Sequence, residues 1–323
     1  MRRIIHSYRI VMRMILIRTA ALAVVVTLAA STLAACADAE TDAVAVATTT
    51  PLGSVLSDIA TCAGGRSSTL MGPGDDPHTF SASSAEVAGM AEAGLVFANG
   101  LGLEEGLSSA LAGAAADGAT VVEIAPLVDP IGFAEDPHGD EGEHADESGE
   151  DPHFWLDVAR MARAAEVMGG VLADETGDDA YRACGETVRD ALLETDAEVR
   201  EILAAVPDAR RVLVTDHHSF GYFALAYDFR VAGVVIPGGS TDAEPSSAEL
   251  AALVEVIRET GTPAIFSNTA AASSLVDAVA AEAGTDVTVV PLYVGSVGPE
   301  GSGAETYSGM MVTNATLIAD ALG

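Results

Sequence analysis

The feature that most constrains the fold is an alternation of short apolar runs with helical patterns, maintained on both sides of one long helical segment. Before that segment, β-like runs at 43–47, 68–71, 95–98 and 120–124 alternate with helical spacing over 52–63, 83–93 and 103–115. Ser84 reads as the cap of the second of these helices, with Glu86 in its first turn. A helical pattern then covers 154–173. The longest follows over 178–206, with Gly185 as its one interior glycine and Pro207 as its stop. Beyond it, strand patterns at 212–215, 231–235, 264–266 and 286–290 alternate with helical ones at 220–227, 247–260, 271–283 and 305–322. Strands alternating with helices predict βαβ units and parallel sheets. The expected fold class is α/β: two lobes, each a parallel sheet flanked by helices, joined by one long rigid helix. The expected boundaries are an N-terminal lobe over 43–177, a linker helix over 178–206 and a C-terminal lobe over 207–323.

An acidic segment, 134–152, interrupts the first lobe. From Glu135 to Asp157 the chain carries ten carboxylates, three of its seven histidines and no basic residue. A block of like charge is solvated, but it runs directly into Phe154-Trp155-Leu156, which includes the only Trp. His153 sits at that join. Asp-Pro-His occurs three times, ending at His78, His138 and His153. His144 lies within the acidic segment, and His217 and His218 lie in the run VTDHHSFGYF. These six histidines are flanked by acids in loop-like contexts, a distribution that buried core histidines do not produce. Neutral imidazole is the commonest protein ligand for transition metals, and nearby carboxylates draw cations in. His78, His153 and His217 each follow a predicted strand, so they fall at strand carboxyl ends, where open parallel sheets bind ligands. The cleft between the lobes is the expected site.

Residues 1–35 carry five Arg, no acid and an apolar run from Thr19 to Ala30, which reads as a secretory signal too short to span a bilayer. It ends in Leu-Ala-Ala-Cys36, a lipobox pattern that predicts lipidation of Cys36 and a tether over 36–42; a plain secretory signal is the alternative. The formal net charge is −33, and the chain has no Lys. Loss of the leader would remove five positive charges. Such a balance argues against nucleic acid as a partner. Cys62 and Cys184 remain after Cys36. An exported chain permits a disulfide between them, and two buried free thiols is the competing reading.

With these residues in view, the chain resembles the metal-binding proteins of bacterial ABC importers for zinc and manganese. The resemblance rests on DDPHTF at 75–80, ANGLGLE at 98–104, DPHFWLD at 151–157, DHHSFGYFALAY at 216–227, EPSSAEL at 244–250 and ETYSGMMVTN at 305–314. It implies a lipid-anchored, monomeric receptor on the outer face of the bacterial cell membrane, serving an ABC permease and its ATPase. By that resemblance His78 and His153 match the first-lobe ligands and His217 the first ligand of the second lobe, with His218 as the alternative. The fourth ligand departs from the family pattern. Gly295 stands where an Asp is usual, and Asn268 does not supply an acid. Three imidazoles suit Zn²⁺, whereas Mn²⁺ prefers carboxylate oxygens. The expected cargo is therefore Zn²⁺, with Mn²⁺ the alternative within the family. Affinity is expected to fall as pH drops through the His range. His138 and His144 are expected to act as accessory, low-affinity zinc collectors, against a plain solvated spacer. A zinc hydrolase is the rival class, since three His and an open position also describe a catalytic zinc, but no HExxH pattern occurs. An adhesin or zinc-buffering lipoprotein is a third reading.

Overall fold

The computed structural model describes residues 43–133, 149–271, 274–284 and 286–323. The leader, Cys36, and His138 and His144 with most of the acidic segment therefore lie outside the described residues. The first sheet contains β1 (Val46–Ala47), β2 (Ser68–Thr69), β3 (Leu95–Ala98) and β4 (Thr120–Glu123) in the order β2-β1-β3-β4. Its pairings are all parallel. The second contains β5 (Val212–Thr215), β6 (Arg230–Val234), β7 (Ala264–Asn268) and β8 (Thr288–Leu292) in the order β6-β5-β7-β8, again parallel. Both sheets place a switch of strand order beside their first strand, and ligands collect outside the carboxyl ends of such strands.

The helices are α1 (Thr50–Cys62), α2 (Ser84–Ala93), α3 (Ser108–Ala116), α4 (Val158–Thr176), α5 (Ala180–Leu203), α6 (Gly221–Tyr227), α7 (Ser247–Thr260), α8 (Ser274–Ala283) and α9 (Tyr307–Leu322). Most element ends shift by a few residues from the sequence reading, and two of the differences have a clear local cause. The cap of α2 is Ser83, not Ser84: its side chain accepts from Glu86 N, and the Glu86 carboxylate accepts from Ser83 N. Only Ser83 stands three residues before the Glu, as a capping box requires. The helix expected from Phe154 begins at Val158 instead. Phe154–Leu156 form a 3₁₀ turn, and the Asp157 side chain caps α4 by accepting from Ala159 N and Arg160 N.

One continuous core joins the two lobes. Phe97 of β3, Trp155, Phe266 of β7 and Tyr307 of α9 belong to the same buried apolar cluster, together with residues of α1, α4 and α5. Smaller clusters cover the outer faces of the second sheet, around Ile265 and Leu253, and of the first, around Val96 and Met90. Parallel sheets are buried on both faces, and these three clusters supply that burial. The long helix α5 packs along α4, where Gly185 meets Gly169: a Cβ built on Gly169 would lie 2.7 Å from the Gly185 Cα. Glycine inside a helix costs about 1 kcal/mol relative to Ala. Here it lets two backbones touch. Among the described residues, no helix is long and apolar enough to cross a membrane.

Cys62 and Cys184 form a disulfide, fastening the end of α1 to α5 across a sequence separation of 122 residues. Closing so long a loop removes denatured-chain entropy, and a typical contribution is about 2–4 kcal/mol. Cys62→Ser combined with Cys184→Ser is expected to lower the urea midpoint accordingly. Zinc stoichiometry should persist, because Cys62 ends a 13-residue helix, ~18 Å along its axis from the cleft end.

Candidate metal centre

Three side chains meet at the strand carboxyl ends. His153 Nε2 lies 3.3 Å from His78 Nε2 and 3.3 Å from His217 Nε2. One nitrogen from each ring falls within 4.8 Å of the others. The rings are 5.1–5.3 Å apart between centroids, and all three are buried. Nitrogen ligands at ~2.0–2.1 Å from a zinc ion stand ~3.3 Å from one another in a tetrahedron, and the two Nε2 separations match that geometry. His218, next in sequence to His217, is half-buried and outside the cluster; its backbone N–H donates to Gly238 O.

Each ring is placed by surroundings that the chain supplies locally. Asp151 Oδ1 accepts from His153 N at 2.9 Å and stands 2.8 Å from His153 Nδ1. It thereby fixes the ring and leaves Nε2 for the cluster, the usual role of a carboxylate behind a metal-binding imidazole. Asp151 is itself held, since its N–H donates to Ile131 O and its carbonyl accepts from the Tyr222 hydroxyl at 2.7 Å. Burial pushes the Tyr222 hydroxyl up to about 12, so it stays a donor. Asn99 Nδ2 donates to Pro152 O at 2.9 Å. Behind it, the buried Glu104 accepts from Asn99 N, Gly100 N and the Thr48 hydroxyl. The Trp155 ring lies tilted against that of His153, 5.2 Å between centroids.

His217 follows β5. Asp216 N donates to Phe266 O, and Asp216 Oδ2 accepts from Asn268 N. Asp216 Oδ1 stands 3.1 Å from His217 Nδ1. Neither atom makes a hydrogen bond by angle as well as distance, so the contact counts as an electrostatic one. His78 lies in the loop after β2, where Asp76 Oδ1 accepts from its backbone N–H. Gly295 also borders the cluster. A Cβ there would stand 2.9 Å from Pro77 Cδ and 3.6 Å from Asn268 Nδ2. Missing from the sequence reading were Asp151, Asp216, Asn99 and Tyr222 as positioning groups. The acids had a signal, an Asp two residues before His153 and one directly before His217. Asn99 and Tyr222 lay within the motifs ANGLGLE and DHHSFGYFALAY, but nothing local assigned them this role.

Burial lowers the His78 imidazole to about 2, with the neighbouring His153 and His217 adding to the effect. Burial, then His217, takes His153 well below its ordinary 6.5. His217 goes the other way. Burial would lower it, but the Asp216 carboxylate, with Asp76 and Asp151 behind it, raises it. Burial pushes Asp151 up to about 7. Between pH 7.5 and 5.5 competition by protons is therefore expected at His217, where the Asp216 carboxylate favours the charged ring, and at Asp151, rather than at His78 or His153, where burial disfavours it. Metal affinity is expected to fall with falling pH, by at most about two log units per pH unit if only those two groups compete. Isothermal titrations across that range check this, and a slope near three would mean that all three imidazoles are protonated.

Two α/β lobes around a buried three-histidine cluster define a metal-ion-binding protein of the two-lobed receptor type. The chain belongs to the ZnuA family, zinc-uptake complex component A, periplasmic, whose family model matches residues 45–321. It is the metal-binding substrate-binding component of an ABC importer of the zinc and manganese type. The manganese-binding lipoprotein MntA of Halalkalibacterium halodurans is 31% identical over 267 residues, covering 81% of this chain and 83% of MntA. The zinc-binding protein TroA of Treponema pallidum is 30% identical over 263 residues, covering 78% and 80%. The solved structure of TroA superimposes with a TM-score of 0.75 over 86% of this chain and 98% of that one. A Mn-bound periplasmic metal-binding protein from Candidatus Liberibacter asiaticus shares the fold at a TM-score of 0.72 and 21% identity. The family consists of transport receptors rather than enzymes.

Proposed function

We propose that this receptor carries Zn²⁺, held by His78, His153 and His217, and delivers it to a membrane permease driven by its ATPase. The observation that carries the reading is the donor set. Among the described residues, the cluster offers three imidazole nitrogens and no carboxylate oxygen. Neutral imidazoles suit zinc, while manganese favours oxygen ligands. Gly295, packed against Pro77, brings no acid to the fourth position, which water or a small anion would fill. Lipidation at Cys36 would keep the receptor on the outer face of the membrane, in keeping with relatives named as lipoproteins. The lobes over 43–177 and 207–323, with 178–206 between them, are the proposed units. The shared core around Trp155 and Tyr307 supports small rocking rather than wide hinge opening. His138 and His144 remain proposed accessory collectors.

Manganese is the second reading, favoured by the relatives at 31% identity that are named manganese-binding. Zinc outcompetes manganese at almost any nitrogen and oxygen site, so zinc binding alone does not decide between them. Retention of manganese does. The protein loaded with one equivalent of either ion is passed through a desalting column and analysed for metal. Zinc retained and manganese lost supports the zinc reading. Stoichiometric manganese after the column would replace it.

A further inference from the structure

His153 and His217 each have a carboxylate of their own lobe beside Nδ1; His78 is held differently. It belongs to a loop that leaves β2 at Thr69 and reaches α2 at Ser84, and second-lobe groups hold that loop at three successive points. Ser296 Oγ, just after β8, accepts from Gly74 N at 2.8 Å and lies 3.5 Å from Gly72 O. The Thr241 hydroxyl donates to Asp76 Oδ2 at 2.6 Å, while Asp76 Oδ1 takes the His78 N–H at 3.1 Å. Between them, Pro77 abuts the bare Cα of Gly295.

The segment bearing Thr241 is tied in turn to the other side of the site. Gly238 O accepts from His218 N at 3.1 Å, one residue from His217. Gly239 lies against the Phe133 ring, where a Cβ would come within 2.4 Å of Phe133 Cζ. A continuous path therefore runs from His78 through Asp76, Thr241 and Gly238 to His218 and His217. A metal ion bridging His78 and His217 closes the same path from inside. Bond and metal then support each other: the ion holds the loop where Thr241 can reach Asp76, and the hydroxyl holds His78 where the ion can reach it.

We infer that Thr241 and Ser296 are positioning residues that hold the His78 loop across the cleft and set the rate at which the bound metal leaves. This rests on the reading of the three histidines as the metal site. A hydroxyl donating to a carboxylate is a charge-assisted bond, and its loss corresponds to about a tenfold change in rate.

The test uses protein loaded with one Zn²⁺ and mixed rapidly with excess chelator, in the unsubstituted chain and in Thr241→Val, Thr241→Ser and Ser296→Ala. Thr241→Val, which keeps the shape and removes the hydroxyl, is expected to release zinc about tenfold faster. Ser296→Ala should release it several-fold faster, and Thr241→Ser should restore the original rate. The visible spectrum of the Co²⁺-loaded Thr241→Val protein should match the unsubstituted one, showing the same ligand set. Release rates within twofold of the original in both Thr241→Val and Ser296→Ala would overturn the inference, as would failure of Thr241→Ser to rescue. Failure of the unsubstituted chain to hold zinc would overturn the histidine reading itself, an outcome separate from a retained metal with unchanged rates.

Discussion

His153→Ala is expected to abolish stoichiometric zinc binding, lowering affinity by more than a hundredfold. Zinc bound by four ligands is worth about 10–16 kcal/mol, or roughly 3 kcal/mol per ligand, which corresponds to a factor of about 150. His153 should lie at or above that average, because it stands 3.3 Å from each of the other two rings and has Asp151 behind it. The substitution also strips Asp151 of its ring partner. That carboxyl is buried and already pushed up to about 7, so it takes up a proton rather than remaining a lone buried charge. Folding should therefore survive. Elemental analysis of the purified variant, with circular dichroism to confirm the fold, checks both halves. His78→Ala and His217→Ala should behave alike, whereas His218→Ala, outside the cluster, should keep its zinc. Zinc retained at one equivalent in His153→Ala would mean that the ion is held elsewhere.

Trp155→Ala carries the largest expected cost in stability, about 3–5 kcal/mol. The indole is 2% exposed and belongs to the core that joins the lobes. Its Nε1–H donates to Val294 O of the second lobe at 2.8 Å, and its own carbonyl accepts from the Tyr307 hydroxyl at 2.6 Å. Removing the ring opens a cavity at the seam between the lobes and leaves the buried Val294 carbonyl without that donor. Trp155→Phe should cost far less. It keeps most of the packing and loses one hydrogen bond, worth about 1 kcal/mol. Urea unfolding of the metal-free proteins measures both. Because Trp155 sits 5.2 Å from the His153 ring, Trp155→Ala should also weaken zinc binding, and an unchanged affinity would show that the ring positions nothing.

Much of this was legible in the sequence, for identifiable physical reasons. Strands β3, β5 and the start of β7 read clearly because short apolar runs bounded by polar turns have few other solutions. His78, His153 and His217 stood out because each follows a strand and lies among acids, and the structure brings these three together. The cap of α2 was misplaced by one residue although the Ser-x-x-Glu spacing was present. Phe154–Leu156 read as helix because the apolar run hides the Asp157 cap that follows it. Contacts between remote segments were the least legible: an even pair of cysteines in an exported chain allowed a disulfide but did not decide it. The pairing of Cys62 with Cys184, the seating of Pro77 on Gly295 and the bond from Thr241 to Asp76 each join residues whose proximity only the fold decides. The Gly295 position shows the difference well. Its residue type marks the absence of an acid, but only the structure shows that the space is taken by the loop that carries His78.

The most direct test of the central claim is the X-ray absorption spectrum at the zinc K edge of the chain loaded with one equivalent of Zn²⁺. The account predicts three imidazoles at ~2.0–2.1 Å, with their outer-shell ring scattering, and at most one further light atom. A first shell with fewer than two imidazoles, or one dominated by carboxylate oxygens, would contradict it.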